Sequence, residues 1–160
     1  MLSIRPAVAG DVPLLKTMIY EFAEFYRFPA FITEDQLLRD GFSSTPKFRA
    51  LIAEWAGEVA GYALFFEYYS SFHGRSIFLE DLFVRAQFRS KGVGKALLAR
   101  VAAISQQDGP FGIVFNVFAW NSPAMEVYKK MGAIFWDDLK TACFKDDALR
   151  ALAESADQYD

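Results

Sequence analysis

The chain has very few of the residues that build disulfides and metal sites. Its 160 residues include one cysteine, Cys143, and one histidine, His73. A lone cysteine cannot form an internal disulfide, and zinc sites usually combine several Cys and His ligands. The sequence therefore predicts neither a disulfide framework nor a metal centre.

Long apolar runs and an excess of positive charge are also missing. No stretch approaches the roughly 20 apolar residues of a membrane helix, and residues 1–11 lack the layout of a signal peptide. The formal net charge of −3 disfavours a broad nucleic-acid footprint, which needs clustered Lys and Arg. We expect a cytoplasmic protein with neither nucleic acid nor membrane as a partner.

The chain is rich in apolar and aromatic residues. It is 53% hydrophobic and contains 17 Phe, enough for one self-standing core. We therefore expect a single domain over residues 1–160. A dimer interface or a pocket for a cationic substrate could account for part of the aromatic content.

Strand-like and helix-like patterns alternate along the chain, which predicts a mixed α/β fold. The predicted strands are residues 2–6, 49–55, 59–69, 76–84, 111–119, 133–136 and 141–145. The predicted helices are one after Asp11 up to Tyr26, 33–39, one from Gly92 that stops at Gly109-Pro110, 121–131, and a short or frayed one from Asp146. Thr33 with Gln36 predicts a capping box at the start of the second helix, and the link 56–58 between the second and third strands predicts a hairpin. A helix crosses between strands 76–84 and 111–119, so these should be parallel neighbours.

Residues 77–98 are the most informative stretch. An apolar run that carries Glu80 and Asp81 is followed by the polar turn 89–94 and then by a helical pattern. The N–H groups at a helix start have no intrahelical partners and carry partial positive charge, so phosphate is their natural ligand. The local basic residues, which also suit a small polyanion, are Arg85, Arg89, Lys91 and Lys95.

Other phosphate-binding loops do not fit this turn. A Walker loop needs Gly and Ser or Thr where the chain has Arg89 and Ala96. A dinucleotide fingerprint needs Gly or Ala where it has Leu97. A tight turn that merely requires small residues is the remaining alternative.

The segment Arg89-Ser90-Lys91-Gly92-Val93-Gly94 resembles the pyrophosphate-binding signature of the GNAT superfamily of acetyl-CoA-dependent N-acetyltransferases. The order of elements is similar to that family over nearly the whole chain. Segments 4–7, 40–42, 79–84, 119–123 and 128–133 most resemble the diamine (spermidine/spermine) acetyltransferases. The resemblance implies one GNAT domain, acetyl-CoA as co-substrate and a homodimer. It also implies a mixed, mostly antiparallel sheet of about six to seven strands with a parallel fourth and fifth pair, flanked by about four helices.

The resemblance also implies a cofactor site. The backbone of residues 82–84 would pair with the pantetheine amides, one N–H would polarise the thioester, and the loop N–H groups would hold the pyrophosphate. The expected contacts are Leu82, Phe83, Val84, Arg89, Ser90, Lys91, Gly92, Val93, Gly94, Lys95, Asn121, Pro123 and Ala124.

Two side chains are implied in catalysis. Tyr128 lies seven residues after Asn121, about two helical turns, so both share one face. The residue pattern alone favours a core aromatic role for Tyr128, whereas the resemblance implies that Tyr128 is the general acid that protonates the CoA thiolate. Glu80 would meet the substrate as a cation binder or a proton relay, whereas Asp81 is expected to be buried. Adjacent strand residues point to opposite faces unless a bulge intervenes.

The amine substrate is less well defined. The aromatic stretch 25–31 could be a packed loop or a substrate contact, and Glu21 and Glu24 could form a solvated face or a carboxylate lip. The polyamine enzymes have a Tyr-Glu pair and an Asp where this chain has Phe25-Tyr26 and Ser70, so Glu24 or Glu67 would have to compensate. The expected substrate contacts are Glu24, Phe25, Tyr26, Glu80 and Asn116.

These features favour acetyl transfer to a primary amine by direct attack. A diamine, a lysine-like amino acid or an amino-thioether analogue of lysine is as plausible as a polyamine. Two alternatives remain: an acetyltransferase acting on protein lysines or N-termini, and a non-enzymatic acetyl-CoA-binding module.

Overall fold

The computed structural model describes residues 1–107 and 111–158. The chain divides into two compact units, Met1–Asn116 and Val117–Asp160, and each is described by itself. Within the described ranges, no helix has the length and apolar character needed to cross a membrane.

The first unit is built on one five-stranded sheet with the order β1-β2-β3-β4-β5. The strands are β1 (Leu2–Pro6), β2 (Arg49–Trp55), β3 (Glu58–Ser70), β4 (Gly74–Val84) and β5 (Ile113–Phe115). Strands β1 to β4 pair antiparallel, and β4 pairs with β5 in parallel. The predicted hairpin of the second and third strands and the predicted parallel pair are confirmed.

Three α-helices belong to this unit: α1 (Val12–Tyr26), α2 (Glu34–Gly41) and α3 (Val93–Gln107). Helix α2 begins with the predicted capping box, in which Thr33 Oγ1 accepts a hydrogen bond from Gln36 N and Gln36 Oε1 accepts one from Thr33 N. The predicted stop of α3 at Gly109-Pro110 lies outside the described residues.

The helices cover both faces of the sheet and create two cores. The core on the α3 side contains Leu51, Ala53, Phe65, Ile77, Leu79, Val93, Leu97 and Val101. The core on the α1 side contains Leu15, Met18, Ile52, Tyr62, Leu64 and Phe83. Strand β4 contributes to both cores, so its residues are held from two directions.

A β-bulge interrupts β4 at Glu80. Leu64 of β3 pairs with Asp81 and Phe65 pairs with Leu79, which leaves Glu80 as the extra residue. Strict alternation would put Leu79 and Phe83 on the same face, yet Leu79 packs in the α3-side core and Phe83 in the α1-side core. The bulge therefore exchanges the two faces of the strand part-way along it.

The second unit contains the helices α4 (Ser122–Lys130) and α5 (Asp146–Glu154). Asn121 is the N-cap of α4, Pro123 lies in its first turn, and Gly132 follows its end with a φ of +92°. Both helices were predicted from the sequence.

The number of strands predicted from the sequence was too high. The described residues contain five strands and five α-helices, and the predicted strands 133–136 and 141–145 are irregular. The strand predicted over 111–119 is only three residues long. Short apolar runs become strands only where a neighbouring strand supplies hydrogen bonds, and in the described part of the chain neither C-terminal segment has one. That the chain forms a single domain stays a prediction.

Candidate active site

A sharp loop joins the end of β4 to the start of α3. Ser90 and Gly92 have φ angles of +60° and +80°, and the helix begins one residue later, at Val93. Where successive residues alternate between right- and left-handed backbone conformations, their N–H groups form a concave anion-binding site. The unpaired N–H groups and the partial positive charge of the first turn of α3 add to this. The geometry of the loop therefore suits a phosphate group, and that the loop binds one stays a prediction.

Arg89 lies at the entrance to this loop. Its Nε donates a hydrogen bond to the carbonyl oxygen of Val84 at 3.0 Å, and its guanidinium carbon lies 4.9 Å from the centre of the Phe25 ring. Among residues 1–107 and 111–158, Arg89 has no carboxylate partner. Its charge is thus available to an anion in the loop.

Two lysines accompany this arginine. Lys91 Nζ lies 5.5 Å from the centre of the Trp55 ring and 5.4 Å from that of Phe88, while Lys95 is exposed on the first turn of α3. Both lie at the loop and the helix start, so they add positive charge beside the predicted phosphate site.

Arg85 does not belong to this basic cluster, contrary to the sequence prediction. Its Nε and Nη2 donate to the two carboxylate oxygens of Glu21 at 2.9 and 2.8 Å, and Nη1 donates to the Val59 carbonyl at 3.2 Å. The Glu21 carboxylate raises the pKa of Arg85 above its ordinary value. This forked pair fixes α1 to the end of β4, so Glu21 is a structural partner rather than part of a carboxylate lip.

The bulge creates an acidic pair that strict alternation does not allow. Asp81 Oδ2 accepts a hydrogen bond of 2.8 Å from the hydroxyl of Tyr62, which is fully buried. Burial raises the pKa of Asp81 to about 6; the Tyr62 hydrogen bond opposes this shift, and the negative charge of Glu80 adds to it. Asp81 is half-buried rather than fully buried, and the phenol of Tyr62 is its partner.

Glu80 is exposed at the end of the parallel pairing. The last pair of β4 and β5 is Leu79 with Phe115, so Glu80 and Asn116 each follow that pair by one residue. Parallel strands carry such residues side by side at the same end of the sheet. Two predicted substrate contacts thus lie together, next to a stretch of β4, residues 80–84, that pairs with no strand on the β5 side within the described residues.

The end of α1 carries the other predicted substrate contacts. Glu24 is exposed, and the Tyr26 ring meets the rings of Phe25 and Phe22 edge to face at 5.0 and 4.8 Å. Phe31, further along the segment, is 81% exposed. The stretch 25–31 is therefore not a packed loop, which was one of its two interpretations.

Glu67 does not replace the missing carboxylates. Its side chain is 72% exposed and accepts a hydrogen bond of 3.1 Å from Arg75 Nη2. Ser70, where the polyamine enzymes have an acid, accepts a hydrogen bond from Phe72 N. The β3–β4 hairpin therefore contributes less negative charge than the resemblance implies.

Helix α4 presents one face that is less exposed than the others. Its half-buried residues are Asn121, Ala124, Met125 and Tyr128, at helical spacing, and its neighbours Glu126, Val127 and Lys129 are exposed. Asn121 Oδ1 accepts a hydrogen bond of 3.4 Å from Ala124 N. Asn121 and Tyr128 share a face, as the sequence predicts.

Sequence reasoning missed the bulge itself and the role of Tyr62. The signal was present in β4, where the apolar residues Ile77, Leu79, Leu82 and Val84 are spaced by two, three and two positions. The interval of three breaks the strand period and marks an inserted residue.

A model of the acetyltransferase (GNAT) family matches residues 15–133, and the chain belongs to that family. It is 36% identical to a thialysine N-epsilon-acetyltransferase of Bos taurus over 94% of this chain and 96% of that protein. It is 32% identical to the human spermidine/spermine N(1)-acetyltransferase-like protein 1 over 82% of this chain and 20% of that protein. These relatives confirm the predicted diamine acetyltransferase branch and an enzyme of the acyltransferase class.

A solved structure supports the same fold. The aminoglycoside N-acetyltransferase AAC(6′)-Iy in complex with CoA has a TM-score of 0.70 and 20% identity over 92% of this chain and 95% of that one. GNAT acetyltransferases use acetyl-CoA.

The half-buried Asp81 predicts a pH-dependent stability. Because the pKa of Asp81 is raised from 3.8 to about 6 in the fold, its stabilising contribution is complete below about pH 4 and is lost as the pH rises through 6. Relative to Asp81→Asn, the wild-type free energy of unfolding should fall by about 2 kcal/mol between pH 4 and 7.5. Urea titrations at several pH values measure this difference.

Tyr62→Phe is the matched control, because it keeps the ring and removes the donor. The hydroxyl lowers the pKa of Asp81, so its loss should move the titration window to higher pH. A difference between wild type and Asp81→Asn that does not change with pH would contradict this assignment.

Proposed function

We propose that this chain is an acetyl-CoA-dependent N-acetyltransferase that transfers acetyl to a primary amine of a small cationic substrate. The observation that carries the proposal is that β4 combines an exposed carboxylate with a loop suited to an anion. An exposed carboxylate, Glu80, lies where the parallel pairing ends, and the same strand leads through a short 3₁₀ turn at Ala86–Phe88 into the loop at Ser90 and Gly92.

Acetyl-CoA would supply the acyl group and a thiolate leaving group. The loop 89–95 would hold its pyrophosphate, and residues 82–84 would offer backbone groups to its pantetheine arm. Asn121, Pro123 and Ala124 at the start of α4 are the remaining proposed contacts. An N–H group aimed at a developing oxyanion is worth on the order of 3 kcal/mol, so the backbone of β4 is proposed to stabilise the transition state.

Direct attack requires a neutral amine, because an ammonium has no lone pair. The amine nitrogen forms the new bond to the acetyl carbon, and the carbon–sulfur bond breaks. Glu80 accepts the amine proton, directly or through water, and Tyr128 gives its hydroxyl proton to the departing thiolate. Solvent then restores both groups, so protons and bonds balance.

The substrate is proposed to be a compact amine with few positive charges. Glu24, Tyr26, Glu80 and Asn116 are its proposed contacts. Glu67 is already paired with Arg75, and Ser70 stands where the polyamine enzymes have an acid. The Bos taurus relative, matched over almost its whole length, is named for thialysine. A lysine-like amine or a diamine is therefore favoured over a long polyamine.

The cofactor site is tested by Gly92→Ala. A φ of +80° is unfavourable for alanine, although open space surrounds the new Cβ. The strained loop should turn its N–H groups away and weaken CoA binding about tenfold, roughly the effect of 1.4 kcal/mol. Isothermal titration calorimetry measures the dissociation constant.

Gly57→Ala is the matched control in the β2–β3 turn, where φ is +87° and nothing lies within 4 Å of the new Cβ. Both variants should lose similar thermal stability, but only Gly92→Ala should bind CoA more weakly. Equal CoA affinity in the two variants would show that the loop is not part of the cofactor site.

Catalysis is tested by the release of CoA thiol with diamines, lysine analogues, polyamines and lysine peptides. Thialysine, lysine and short diamines should have higher kcat/KM than spermidine or peptides. Tyr128→Phe and Glu80→Gln should each lower kcat by about 10²- to 10⁴-fold, the usual effect of removing an acid or a base.

Tyr69→Phe and Glu67→Gln are the control variants, since both side chains are largely exposed on β3. They should retain wild-type rates. Acetyl-CoA binding without thiol release for any amine would instead favour a non-enzymatic module, and a preference for peptides would favour a protein acetyltransferase.

A homodimer, implied by the resemblance, remains a proposal. The C-terminal segment exposes Ile134, Leu139 and Phe144, which a second copy could cover. Sedimentation at micromolar concentration should show a species of about twice the 18.1 kDa chain mass; an 18 kDa species alone would contradict it.

A further inference from the structure

The ring of Phe25 lies under the arginine of the anion-binding loop. The guanidinium carbon of Arg89 is 4.9 Å from the ring centre, well inside the range of a cation–π contact. Phe25 lies in the last turn of α1, far from Arg89 in sequence. Helix α1 and the loop after β4 thus meet through this pair.

Phe25 is placed for contact rather than for core packing. The residue is 48% exposed, so it buries much less than a core phenylalanine. Its ring is nevertheless braced, because the Tyr26 ring meets it edge to face at 5.0 Å, and the Phe22 ring meets that of Tyr26 in the same way. A braced, half-exposed ring gives a fixed platform to a charged partner.

Arg89 is held from two sides. Its Nε donates to the Val84 carbonyl, and its guanidinium carbon lies over the Phe25 ring. Neither contact uses the Nη atoms, and within the described ranges no other chain group accepts hydrogen bonds from them. An arginine oriented in this way loses less conformational entropy when its Nη donors bind an anion.

We propose that Phe25 is a positioning residue for the cofactor: it holds Arg89 in the orientation that binds the pyrophosphate of acetyl-CoA. The inference rests on the proposed function and deepens it, because it moves Phe25 from the amine side to the cofactor side. The end of α1 then serves both substrates, with Glu24 and Tyr26 facing the amine and Phe25 supporting the loop.

A double-mutant cycle on CoA binding tests this role. Phe25→Leu keeps an apolar side chain but removes the ring, and it should weaken CoA binding roughly two- to fivefold, the range of an exposed cation–π contact. Phe25→Trp should restore binding, because indole is the strongest partner for a cation. In an Arg89→Ala background, Phe25→Leu should have no further effect on the dissociation constant.

Two additional measurements separate positioning from a general structural effect. The kcat/KM for S-acetylpantetheine, an acyl donor without pyrophosphate, should be the same for Phe25→Leu and wild type. Tyr20→Leu is the control on the same helix, where it removes a ring that Lys16 Nζ approaches to 5.7 Å. It should leave CoA binding unchanged.

The outcomes are distinguishable. A raised KM for the amine with unchanged CoA affinity would overturn the inference and make Phe25 a substrate contact. Equal effects of Phe25→Leu with and without Arg89 would also overturn it, because the ring would then act on the fold. A wild-type protein that binds no CoA would instead overturn the proposed function itself.

Discussion

The bulge at Glu80 is the constraint on which the rest of the site depends. An extra residue in β4 exchanges the faces of the strand, so Leu79 packs under α3 and Phe83 packs under α1. The same insertion places an exposed carboxylate, Glu80, beside a half-buried one, Asp81. Without the bulge, strict alternation would send Glu80 and Asp81 to opposite faces, and the chain would lack an acidic pair at the end of the parallel strands.

Charge is separated along the short path from this bulge to α3. The acids come first; Arg85 is then neutralised by Glu21, and only afterwards do Arg89, Lys91 and Lys95 provide positive charge without a carboxylate partner in the described part of the chain. Because Arg85 is paired, the positive potential is concentrated at the loop and the helix start. A cationic amine and a polyanionic donor can therefore be attracted to neighbouring parts of one element.

The sequence predicted the elements whose signals are local. The Thr33 capping box, the loop from Arg89 to Gly94 and the helix after Asn121 each depend on a few adjacent residues, and all three were found. The errors concern partners distant in sequence. Pairing of Arg85 with Glu21 and of Tyr62 with Asp81 spans 64 and 19 residues, and strand formation near Trp136 depends on a neighbour that a local pattern cannot reveal.

Support from both sides explains why the site can include a costly group. Burying Asp81 raises its pKa to about 6, so at neutral pH the fold retains an ionised acid that would be better solvated in the unfolded chain. The Tyr62 hydroxyl offsets part of this cost, and Arg85 with Glu21 fixes the far end of the strand. A locally unfavourable arrangement of this kind persists only where the surrounding structure holds it in place. The two cores that hold β4 provide that constraint, and the strand can therefore present Glu80 in a defined position to a substrate.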